Sequence, residues 1–124
     1  KYAEMLGQKM QEHNVNVWLI NTGWSGGSYG IGQRISLKHT RAMISAVLNG
    51  ELEKVEYNTH EIFGLNMPTS CPNVPSSILN PKETWEDKES YNIKANELAN
   101  SFNKNFEQFA DNANKEILSA APNV

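Results

Sequence analysis

The stretch VWLINTGWSGGSYGIGQRISLKHTRA, residues 17–42, holds three kinds of chain in succession, and reading it decides the fold. Val15 and Val17–Ile20 form a β-branched and aromatic run too short for a helix, which predicts a central strand. From Gly23 to Gly32, five of the chain's eight glycines fall in ten positions, a density that resists regular strand or helix. A helix follows. Ser36 is placed to cap it, Leu37, Ile44, Val47 and Leu48 recur on one face, and Asn49-Gly50 supplies the stop. Thr40 falls on the same face, so its hydroxyl points inward and needs a partner.

Strand, glycine-rich loop and helix start together suggest an anion site. Glycines let backbone N–H groups approach a ligand, and a helix start favours negative charge. Arg34, Lys38 and Arg41 place three of the chain's eleven Lys and Arg within eight residues. Gly27 and Gly32 have the spacing of a Walker A loop, but Gln33-Arg34 stand where Lys and Ser/Thr would hold phosphate and magnesium. Gly30-x-Gly32-x-x-Ile35 lacks the third glycine of a dinucleotide fingerprint. The competing reading is a tight strand-to-helix connection with solvated charges.

Outward from this stretch, Tyr2, Met5, Leu6 and Met10 predict a one-sided helix over residues 2–12. Residues 54–58 and 62–67 read as two short strands. Pro68–Pro81 holds four of the five prolines and reads as an ordered surface crossing that buries Val74, Ile78 and Leu79. Tyr91, Ala95, Leu98, Phe102, Phe106 and Phe109 recur every three or four residues and predict the longest helix, followed by a fraying extension over 111–124. No internal repeat or low-complexity tract is present.

Composition limits the function. The 124 residues suit one domain, 39% are apolar, and the net charge is −3, which speaks against a nucleic-acid coat or an anionic-membrane binder. No apolar run approaches the roughly 20 residues of a bilayer span. Cys71 stands alone, so a disulfide framework and a multi-cysteine zinc cage are excluded and a buried structural thiol is expected. His13, His39 and His60 lack metal-ligand spacing. Trp18 reads as core, whereas Trp24 in the glycine loop could stack a base. The chain is expected to be cytoplasmic, and its start at Lys1 suggests an excised segment.

Several of these residues carry a resemblance. Residues 17–24, 26–42 and 63–69, then Leu79–Trp85, Asn96–Ala99 and Asn105-Phe106, are similar to the C-terminal portion of ATP-dependent phosphoenolpyruvate carboxykinases. The resemblance implies an enzyme of gluconeogenesis that decarboxylates oxaloacetate and phosphorylates the enolate with ATP, giving phosphoenolpyruvate, ADP and CO₂, with divalent metals (Mg or Mn) in attendance. It implies that residues 1–124 are one domain, the C-terminal part of the ATP-binding domain. The catalytic residues, phosphate loop and metal ligands would lie upstream in the same enzyme.

By this resemblance Arg34 and Ile35 line the nucleotide and Thr40 makes a further contact. Their own chemistry agrees: a guanidinium to stack or pair, an apolar wall and an inward hydroxyl. Gln33 stands where many relatives carry Lys. The parent architecture is α/β, and the expected fold here is α+β, with about three helices and a few strands that close no sheet of their own. A non-catalytic nucleotide- or phosphate-binding module and a structural interaction fragment are the alternatives.

Overall fold

Local chemistry is clearest at the two ends of the central helix, and a computed structural model describing residues 2–124 places both as the sequence predicts, but the face differs: Thr40 and Ala46 are buried, whereas Leu37, Ile44 and Leu48 are exposed. This helix, α2, spans Leu37–Leu48; α1 is Tyr2–His13, α3 is Lys88–Phe106 and α4 is Lys115–Ser119. At the start of α2 the Ser36 hydroxyl accepts the His39 N–H at 3.3 Å. At its end Gly50 N–H donates to Val47 O and Glu51 N–H to Ala46 O, the paired bonds of a Schellman stop with Gly50 at φ +69°.

The strands are short and pair as two separate antiparallel hairpins. Trp24–Ser25 (β1) pairs with Gln33–Arg34 (β2), and Tyr57–Thr59 (β3) with Asn66–Pro68 (β4). The architecture is therefore α+β. Residues 15–22 form no regular element, which corrects the expected central strand. A strand exists only with a partner, and among the described residues no strand forms a ladder with this run; Leu19 is 85% exposed.

The core sits under α2. Ala46, Leu52, Cys71 and Val74 are buried together, with Trp18, Met43, Val47, Ile78 and Leu79 packed around them. The proline-rich crossing thus does bury Val74, through a Cys71–Val74 bridge and a 3₁₀ turn at Ser76–Ile78. Cys71 is the buried thiol the sequence suggests, and burial first, then Glu51, pushes its pKa up. Trp18 flanks this core as expected.

Two further expectations change. On α3 the buried face is Tyr91, Ala95 and Ala99, not the larger stripe, and Leu98 and Phe102 are half-exposed. Small side chains allow the helix to approach closely, so alanine rather than phenylalanine marks its inner face. Residues 111–124 are ordered, not frayed: the Asn103 amide donates to Pro122 O, and Asn123 N–H to Ile62 O at 2.7 Å. By contrast α1, though amphipathic, contains no buried residue.

Candidate nucleotide site

The glycine-rich run folds as a hairpin, its two ends supplying β1 and β2. Trp24 faces Arg34 and Ser25 faces Gln33 across the ladder. The reason for glycine at 27 and 32 is close backbone approach. A Cβ at Gly32 would stand 2.6 Å from Gly27 O and 2.8 Å from Ser25 O, and one at Gly27 would stand 2.9 Å from Gly32 N. Only hydrogens fit between these two segments.

Several N–H groups that an anion cradle would need are used internally. Ile31 and Gly32 donate to Ser28 O, Gly23 to the Asn21 side chain, and Gly26 to the Thr84 hydroxyl. Recognition of a ligand by this loop therefore falls more on side chains than on backbone amides. Trp24 is half-exposed and meets Tyr29 edge to face at 5.7 Å, so the loop presents an aromatic pair beside Arg34.

Arg34 is exposed at the end of β2, and Ile35 follows it half-buried, its N–H bonded to Gly23 O at 3.0 Å. Among the described residues Arg34, Lys38 and Arg41 form no ion pair, so their charge is available to an anion. Thr40 lies one turn into α2 and is 7% exposed. Its side chain faces inward as expected; its N–H donates to Ser36 O at 3.1 Å, and its hydroxyl makes no hydrogen bond among the described residues.

The three residues do not share one cavity. Ile35 lines an open cleft of about 940 Å³ together with Trp18, Met43, Leu52, Tyr57 and Ile78; Arg34 and Thr40 do not. Its largely apolar wall suits a flat ring or a packing element better than phosphate. Arg34 stands on the solvent side of the hairpin, and Thr40 on the inner side of α2. Among the described residues no group of three His, Cys, Asp or Glu converges, so these residues do not fit a divalent ion.

Two side chains, Thr84 and His60, take positions that their sequence surroundings do not announce. Thr84 ends a 3₁₀ turn, Pro81–Thr84, and binds the glycine loop; the Pro-x-x-Thr spacing was its one local signal. His60 is half-buried behind the second hairpin. Its Nδ1 accepts the N–H groups of Ile62 and Phe63 at 3.2 Å each, and its Nε2 lies 2.6 Å from the Tyr91 hydroxyl. Those bonds assign the neutral ring's proton to Nε2. Burial lowers the His60 pKa, Glu61 opposes that shift and Lys82 adds to it.

Comparison with known proteins bears on this arrangement. A family model described as phosphoenolpyruvate carboxykinase matches residues 1–77. The chain is 62% identical over 122 residues to phosphoenolpyruvate carboxykinase (ATP) of Flavobacterium johnsoniae, 57% over 122 residues to that of Christiangramia forsetii and 54% over 121 residues to that of Fusobacterium nucleatum. In each case 98% of this chain is covered, and the chain spans 23% of the relative's length.

Proposed function

The chain belongs to the phosphoenolpyruvate carboxykinase (ATP) family, and from that premise we propose that it forms the adenosine side of the enzyme's ATP site. The whole enzyme converts oxaloacetate and ATP to phosphoenolpyruvate, ADP and CO₂, as a lyase of the cytoplasm serving gluconeogenesis. Residues 1–124 act in it as the C-terminal part of the ATP-binding domain.

In this reading Arg34 supplies a guanidinium that stacks on the base or pairs with phosphate, Ile35 supplies an apolar wall, and Thr40 makes a further polar contact from α2. The observation that carries it is Arg34, without an ion pair among the described residues, on a hairpin whose Gly27 and Gly32 permit no side chains, next to a half-buried Ile35. Bound ATP supplies the transferable phosphoryl group. This chain's part is to hold and orient the other end of the molecule, which places the reacting phosphate by restricting its motion.

Divalent ions and oxaloacetate fall to the remaining length of the enzyme, and no step through a metal is assigned to these residues. The exposed apolar surface of α1 and of residues 15–19 favours a second role that is compatible with the first. Tyr2, Leu6, Val17 and Leu19 are more than half exposed, and the upstream part of the same enzyme is the partner that would cover them.

The test is Arg34→Ala in the full-length carboxykinase. A rise of about tenfold in KM for ATP, equivalent to losing one charge-assisted contact, with KM for oxaloacetate unchanged, is the expected result. An unchanged KM for ATP overturns the assignment. Formation of phosphoenolpyruvate by residues 1–124 alone would overturn the division of labour.

A further inference from the structure

The hairpin that carries Arg34 is held from outside by one hydroxyl. Thr84 Oγ1 lies 2.6 Å from Pro81 O and donates its single proton there. That commitment leaves the oxygen's lone pairs for the Gly26 N–H, 3.1 Å away and 58 residues earlier in the chain. The contact is also steric. Gly26 sits at φ +84°, and a Cβ on it would stand 3.2 Å from Thr84 O, so the loop backbone rests on the turn.

The turn is itself anchored. Lys88, at the first position of α3, donates from Nζ to Lys82 O at 3.0 Å and to Trp85 O at 3.1 Å, and the Asn80 side chain accepts the Lys82 N–H. Lys88 of α3 thus holds the backbone carbonyls of the turn, and Thr84 of the same turn holds Gly26. Gly26 adjoins Ser25, which pairs with Gln33, and Trp24 pairs with Arg34.

We propose that Thr84 is a positioning residue for the nucleotide: its hydroxyl, proton on Pro81 O and lone pair on Gly26 N–H, fixes the hairpin and so sets where Arg34 and Ile35 meet ATP. Thr84 need not touch the nucleotide. The proposal rests on the assignment of Arg34 and Ile35 to ATP, and the experiment separates the two.

In the full-length enzyme, Thr84→Val preserves shape and removes the relay, while Thr84→Ser keeps it. Thr84→Val is expected to raise KM for ATP by about fivefold to tenfold, the loss of one part-buried hydrogen bond, with kcat within about twofold and KM for oxaloacetate unchanged; Thr84→Ser returns KM for ATP to near its original value. An unchanged KM for ATP in Thr84→Val, or a parallel loss in both substrates that Thr84→Ser does not restore, overturns the proposal. Arg34→Ala run alongside isolates the premise: if it leaves KM for ATP unchanged, the nucleotide assignment fails whatever Thr84 does. Should Thr84→Val not fold, Lys88→Met, which frees the turn yet keeps the hydroxyl, must raise KM for ATP selectively, and failure to do so overturns the proposal equally.

Discussion

His60 Nε2 lies 2.6 Å from the Tyr91 hydroxyl, which ties the turn of the second hairpin to the buried face of α3. The same ring takes two backbone N–H bonds at Nδ1, so it can serve the turn only while neutral. Protonation puts a hydrogen on Nδ1 and forces both bonds to break. Stability from this ring is present above its ordinary pKa of 6.5 and is lost as pH falls from there through the lowered value of the folded chain. Denaturation midpoints should fall between pH 7.5 and 5.5, and the His60 ring resonances should titrate below the usual histidine midpoint. A midpoint at or above 6.5 would count against this arrangement. Tyr91→Phe should cost about 1 kcal/mol without abolishing the pH dependence.

Gly32→Ala and Gly7→Ala should act in opposite directions. At Gly32 a methyl group meets two backbone oxygens, at 2.6 and 2.8 Å, so the hairpin must open at a cost of about 1–3 kcal/mol. Gly7 lies inside α1 with nothing within 4 Å of a Cβ, and alanine there should stabilise by about 0.5–1 kcal/mol. Chemical denaturation of both variants decides the matter; equal signs would refute the close-approach account of the loop.

Ser36→Ala removes the acceptor for the His39 N–H and should cost about 1 kcal/mol, whereas Ser36→Asp should not, because a carboxylate caps as well. Urea midpoints at neutral pH give the comparison. Since α2 carries Thr40 and begins two residues after Ile35, fraying there should also broaden the amide signals of residues 37–40.

What could be read from the sequence was whatever local chemistry determines. Ser36 and Asn49-Gly50 each act on their immediate neighbours, so the start and stop of α2 were visible, whereas its buried face was not: Leu37, Ile44 and Leu48 are exposed and Thr40 and Ala46 are buried. The Val15–Ile20 run had every mark of a strand, yet pairing is a property of two segments, and one segment cannot report that its neighbour is elsewhere. The same limit hid His60 and Tyr91, 31 residues apart, and Thr84 with Gly26. Arg34, Ile35 and Thr40 were singled out by resemblance as well as by chemistry. That Ile35 alone of the three faces the apolar cleft depends on how hairpin and helix are set in space.

The tail bonds from Asn123 to the turn at Glu61 and Ile62 impose an order of events. Glu61 and Asn123 are 62 residues apart in the chain, and closing so long a loop carries an entropic cost that local hairpin and helix formation avoids. During synthesis the β3–β4 turn is made well before Asn123 leaves the ribosome. That corner of the molecule therefore closes only after the segment around Asn123 has been made.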